Sequence, residues 1–111
     1  MKYNIAIGSR DGKAVTEHFG GCARFVIITV DEESDTYAFA GFREIDPTCK
    51  EDGHSDSGLE SAAKALEDCR VVLVARIGPG AQLVLEKHGI DVLEYYGLID
   101  DAVKRIIKYY R

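Results

Sequence analysis

Two runs of this sequence carry apolar side chains on both alternating faces: residues 24–30, with Phe25 and Ile27 against Val26, Ile28 and Val30, and residues 71–75, Val-Val-Leu-Val-Ala. A strand with one wet face alternates polar and apolar residues, so runs of this kind predict interior strands of a sheet covered on both sides. The flanking segments say what covers it. Residues 2–8 alternate Tyr3, Ile5 and Ile7 with Asn4 and Ala6, and residues 36–44 set Tyr37 and Phe39 against Ala38, Ala40 and Phe42, so both read as strands, the latter as the outer strand of a meander.

Beyond residue 56 the period changes from two to about 3.6. Ser57 and Glu60 form a capping-box pattern, and Leu59, Ala62, Ala63 and Leu66 make a helical stripe. Gly78-Pro79-Gly80 ends the second apolar strand, and a helix follows over residues 81–88 with Gly89 as its left-handed cap. A last strand over residues 90–96 leads into a helix whose stripe is Ile99, Val103, Ile106, Ile107 and Tyr110, with Asp100 and Asp101 early and Lys104 and Lys108 late, as the helix dipole favours. The expected order is β-β-β-α-β-α-β-α: a five-stranded mixed sheet with helices on both faces, ribonuclease-H-like in class. A chain of 111 residues closes one core, so residues 1–111 read as a single domain.

Charge and cysteines narrow the function. Fourteen Lys and Arg against nineteen Asp and Glu leave a net charge of −5, which repels phosphate backbones and anionic headgroups and argues against nucleic-acid and membrane partners. Residues 1–30 hold Lys2, Arg10, Lys13 and Arg24 against only Asp11 and Glu17, so an anionic ligand is best received near that end. Cys22, Cys49 and Cys69 cannot all pair, and with neither a signal peptide nor an apolar run of membrane-spanning length in view, a reducing cytoplasm is expected.

Two short segments could carry chemistry. His18-Phe19-Gly20-Gly21-Cys22 joins the first two strands with an imidazole and a thiol, both ligands for soft metals, beside cationic Arg10, Lys13 and Arg24. The alternative is a turn with a surface histidine and a buried small thiol. Cys49 and His54 stand five positions apart in the loop of residues 45–56; two ligands cannot close a tetrahedral site alone, so they need help from elsewhere or from a cluster's own sulfides. Cys69 is expected to pack in the core, and His88 to serve the end of its helix. Gly78-Pro79-Gly80 lacks the ending of a phosphate-binding loop, and the chain has no Gly-x-Gly-x-x-Gly, no Gly-x-Ser-x-Gly and no Cys-x-x-Cys, so nucleotide, hydrolase and thiol-redox chemistry have no motif. Residues 2–8 contain no carboxylate, as a metal-dependent nuclease would require, so no enzymatic activity is expected.

Taken together, Ile5-Ala6-Ile7-Gly8 with Asp11-Gly12, His18-Phe19-Gly20 leading to Phe25, Ile77-Gly78-Pro79-Gly80-Ala81, Leu85 and His88-Gly89-Ile90 give the chain a resemblance to a known family. It resembles the dinitrogenase iron-molybdenum cofactor-binding family: the NifX-like carriers and the C-terminal domain of the assembly protein NifB. The resemblance implies a ribonuclease-H-like fold without nuclease activity, and transient binding of an iron-sulfur or iron-molybdenum-sulfur cluster passed between donor and acceptor proteins. It also implies His18 as the cluster-associated histidine and makes Cys22, with Cys49 and His54, a second source of metal ligands; Arg10 and Arg24 are cofactor-binding candidates from the charge reading above. A zinc-stabilised regulatory or interaction module, using His18, Cys22, Cys49 and His54 as a closed four-ligand site, is the rival reading.

Overall fold

In the computed structural model, which describes residues 1–45 and 56–110, a five-stranded mixed sheet forms the middle layer. Its strands are β1 (Lys2–Gly8), β3 (Arg24–Asp31), β4 (Thr36–Glu44), β5 (Cys69–Val74) and β6 (Asp91–Glu94), in spatial order β4-β3-β1-β5-β6. The helices are α1 (Asp56–Ala65), α2 (Pro79–Lys87) and α3 (Ile99–Tyr109). The two doubly apolar runs are interior: β3 lies between β4 and β1, and β5 between β1 and β6. β1 pairs antiparallel with β3 and parallel with β5, so Ile5 stands beside Ile28 and Val71, and Ile7 beside Val26 and Leu73.

Because side chains alternate along each strand, these registers sort the core into two clusters, one per sheet face. Ile5, Ile7, Val26, Ile28, Val30, Val71 and Leu73 meet Ile99, Ala102, Val103 and Ile106 of α3. Ala6, Phe25, Ile27, Val72 and Val74 meet Ala62, Ala63 and Leu66 from α1 and its C-terminal turn, and Leu85 of α2. Burying a Leu, Ile or Val side chain fully is worth about 1.5–3 kcal/mol, so both helical stripes are committed to the sheet. Asn4, the polar position of β1, accepts a hydrogen bond from Thr29 Oγ1 at 2.7 Å.

The structure adds two strands to the expected order. β2 (Ala14–Val15) and β7 (Gly97–Leu98) pair antiparallel as a separate two-stranded sheet. Two-residue strands are too short to show a period, which is why the sequence does not announce them. α2 starts two residues earlier than expected, with Gly78 as N-cap and Pro79 in its first turn, where a fixed φ and a missing N–H cost nothing. Gly89 takes φ 77° after the helix, as its capping role requires.

β4 departs from strict alternation. Ile27 pairs with Gly41 and Ile28 with Phe39, so Ala40 is an extra, bulged residue, and Gly41 has φ 132°. Phe42, expected on the face opposite Phe39, is thereby turned to the same face, where the two rings meet edge-on at 5.2 Å. Residues 46–55, including Cys49 and His54, lie outside the described residues, as does the Ser57 side chain of the expected capping box.

Candidate functional site

The carboxyl ends of the parallel strands β1 and β5, with the start of β3, form one rim of the sheet, the end at which open α/β sheets place their ligands. A short extended segment crosses this rim. The N–H groups of Thr16 and Glu17 both bond Gly8 O, at 3.0 and 3.1 Å; Ala75 N bonds Glu17 O at 3.0 Å; Phe19 N bonds Arg76 O at 2.9 Å. The crossing is tight at Gly8, where an added Cβ would lie 3.1 Å from Val74 Cγ1 and 3.3 Å from Glu17 Cβ, which is why the position carries no side chain. His18 sits in the middle of this segment in an isolated parallel bridge to Arg76.

His18 is exposed and caps a 3-10 turn, Phe19–Gly21, without its imidazole bonding the backbone. Phe19 anchors the turn: it is 2% exposed and tilts against Phe25 with ring centroids 5.9 Å apart. Cys22 closes the turn through its N–H to Phe19 O at 3.3 Å, and its thiol points inward and donates to Arg24 O at 3.2 Å. The turn thus offers the imidazole outward and holds the thiol in the core. Both halves of the sequence's bland alternative, a surface histidine and a buried thiol, describe this geometry.

Arg76 stands beside His18, while Arg10 and Arg24 are engaged elsewhere. Arg10 lies 3.7 Å from Glu17 on an open surface, where such a pair contributes little. Arg24 opens β3 and lays its guanidinium 4.1 Å over the Phe42 ring. Arg76, absent from the sequence-based candidates, is exposed at the end of β5 and next to His18. Its signal in the sequence was only its place between an apolar strand and Gly78-Pro79-Gly80. Asp11 organises the approach, accepting from Lys13 N at 2.9 Å and Ala14 N at 3.0 Å, and these backbone bonds hold its carboxyl below its ordinary value. Glu94 is occupied by Ile77 N at 3.0 Å.

Elsewhere, Cys69 is buried, and burial first, then the charge of Asp68, pushes its thiol up to about 11. His88 ends α2, as expected, and also does something sequence reasoning missed. Its Nε2 meets Glu60 at 2.5 Å and its Nδ1 meets Glu67 at 2.7 Å, so α1 and the turn after it clasp the end of α2. Glu60 and Glu67 share a helical face at i, i+7, the one cue available beforehand. The two ring nitrogens point apart, so the three groups do not converge on a metal. Among the described residues no group of three or more His, Cys, Asp or Glu side chains can hold a metal ion, and no helix is long and apolar enough to cross a membrane. The expected partners Cys49 and His54 lie outside the described residues.

Comparison with known proteins agrees with this architecture. The chain is 35% identical over 99 residues to the FeMo cofactor biosynthesis protein NifB of Chlorobaculum tepidum, covering 89% of this chain and 22% of that protein. It is 33% identical over 92 residues to the protein of the same name from Herbaspirillum seropedicae, covering 83% and 17%. The chain therefore spans about a fifth of the length of these curated relatives. Among solved structures, PH0822 superposes with a TM-score of 0.70 at 24% identity, covering 96% of this chain and 91% of that one. The apo form of the orange protein (ORP) from Desulfovibrio gigas superposes with a TM-score of 0.64 at 23% identity, covering 96% and 88%. These two likenesses establish the shared α/β fold. Residues 1–109 match the dinitrogenase iron-molybdenum cofactor family over nearly the whole chain, and the protein belongs to that family.

Proposed function

We propose that this domain binds an iron-sulfur or iron-molybdenum-sulfur cluster as cargo and passes it between donor and acceptor proteins, without turnover of a substrate. The observation that carries the reading is His18: an exposed imidazole on a backbone pinned at the ends of β1 and β5, with Arg76 beside it. Imidazole suits iron and molybdenum, and cations offset the negative charge of a sulfide-bearing cluster. Few protein ligands favour release, which a carrier needs and a resident cofactor site avoids. The relatives named as cofactor biosynthesis proteins support the same reading, in which this chain corresponds to one part of their length.

The sheet and its flanking helices are read as ribonuclease-H-like, but β1 offers no carboxylate for metal-dependent cleavage. Cys22 joins the cargo only if the Phe19–Gly21 turn opens, because its thiol is 1% exposed among core side chains. Cys49 and His54 complete the proposed ligand set. A reducing cytoplasm, which keeps thiols reduced, is the setting this reading requires. A zinc-stabilised module has no support in the described residues, where no closed donor set is found.

The test is anaerobic reconstitution followed by iron, molybdenum, zinc and sulfide analysis, then titration of a preformed cluster into the parent and a His18→Ala, Cys22→Ala double variant, read by visible absorbance. The parent should take up metal and sulfide together and the double variant should not. Equal uptake by both refutes the site; zinc without sulfide refutes the cargo.

A further inference from the structure

Among the described residues, Arg76 is the one arginine whose guanidinium makes neither an ion pair nor a ring contact. Arg10 pairs with Glu17, Arg43 with Asp68 and Arg70 with Glu32, while Arg24 and Arg105 lie over the rings of Phe42 and Tyr95. Arg76 has no such partner among the described residues, yet its backbone is held as firmly as any at the rim. Its carbonyl accepts from Phe19 N at 2.9 Å, and the N–H of its neighbour Ala75 bonds Glu17 O at 3.0 Å. An exposed arginine on a loose loop is ordinary; one on a fixed backbone, with its charge left over, is set up to receive an anion.

Its position says which anion. His18 and Arg76 are partners in a parallel bridge, and neighbouring strands run about 4.8 Å apart with paired side chains on the same face. One object can therefore touch both the imidazole and the guanidinium. Among the described residues the flanks of the pair are bare. A Cβ built at Gly20 or Gly21, after His18, or at Gly78 or Gly80, after Arg76, meets nothing within 4 Å. A small oxyanion would not need that clearance, whereas a cluster several ångströms across would.

We infer that Arg76 is the electrostatic anchor for the cargo and that the cargo is an anionic metal-sulfur cluster, held between the His18 imidazole and the Arg76 guanidinium with glycine backbone on either side. The inference rests on the carrier reading and sharpens it: a bare divalent cation or a neutral metal complex is disfavoured by the same charge. Arg10 and Arg24, already engaged with Glu17 and Phe42, contribute less.

The experiment titrates a water-soluble, thiolate-ligated [4Fe–4S] dianion into the parent, Arg76→Gln, Arg76→Lys, Arg76→Glu and His18→Ala under anaerobic conditions at low and high sodium chloride. Visible absorbance reads uptake, and thermal unfolding checks the fold, which these variants should leave alone because the bridge is made by backbone groups. Arg76→Gln should weaken uptake about tenfold and Arg76→Glu more, Arg76→Lys should stay within about threefold of the parent, and salt should weaken the parent more than Arg76→Gln. If Arg76→Gln and Arg76→Glu match the parent in affinity and salt dependence while His18→Ala loses uptake, the anchor is wrong and the carrier reading stands. If the parent takes up no cluster at all, the carrier reading falls and this inference falls with it.

Discussion

Replacing Phe19 with alanine tests the claim that the His18 turn is built from the core outward. Phe19 is 2% exposed, packs in the cluster beneath α1 and α2, and tilts against Phe25 at 5.9 Å. Truncating a buried Phe costs about 3–5 kcal/mol through lost transfer energy and the cavity left behind. A domain of this size has roughly 5–15 kcal/mol to lose. At about 4 °C per kcal/mol, the melting temperature should fall by about 12–20 °C. Phe25→Ala removes the other ring of the pair from within β3, and a similar loss of stability is expected, since Phe25 is fully buried. The two variants should part company on cargo. Phe19→Ala loosens the residue next to His18 and should weaken cluster uptake, measured well below its melting temperature, by about tenfold or more; Phe25→Ala should leave uptake close to the parent's. Phe19→Leu, which keeps most of the volume, should recover most of both properties. Calorimetry and anaerobic titration read the outcome. A Phe19→Ala protein that melts within a few degrees of the parent, or melts low yet binds cluster normally, refutes the claim that core packing at Phe19 fixes the imidazole.

Two further outcomes are expected. His88, bonded first to Glu60 and then to Glu67, has its pKa raised, so its contribution to stability is fully present below the unfolded value of about 6.5 and is lost as pH rises through the higher folded value. Urea midpoints of the parent should therefore decline from pH 6 toward pH 9 more steeply than those of His88→Gln, and parallel profiles would show that the clasp is not ionic. Cys69, whose thiol burial pushes up to about 11, should react with a thiol reagent at pH 8 only as fast as the protein opens, and Cys69→Ala should leave cluster uptake unchanged; rapid modification of the folded protein would contradict its burial.

The sheet was legible in the sequence because burial on both faces leaves a mark no exposed segment can imitate. β3 and β5 were found from continuous apolar runs, β1 from its period of two, and α1 and α3 from stripes that now pack on opposite faces of the sheet. What was missed lacked periodicity or broke it. β2 and β7 are two residues each. The β4 bulge reverses the expected side of Phe42, and its cue was Gly41, an isolated glycine in a strand, which commonly marks a bulge. The Glu60, His88 and Glu67 clasp joins residues far apart in sequence, and the i, i+7 spacing of the two glutamates does not point to His88 as their partner.

The site divides along the same line. Residue type found His18 and Cys22, since imidazole and thiol are visible as letters, but it could not say that one faces water and the other the core. That difference is set by Phe19, whose burial rotates the turn so that its two neighbours on the chain, one before and one shortly after, take opposite exposures. Arg76 was missed for the complementary reason. Nothing in its own neighbourhood of sequence marks it, and it matters only because parallel pairing at the end of β5 brings it beside His18, 58 positions away in the numbering. A ligand letter can be read from composition, whereas a counter-charge acquires meaning only from the fold that sets it next to the ligand. The sheet rim supplies that adjacency, and the glycines on both sides add no side chain to it.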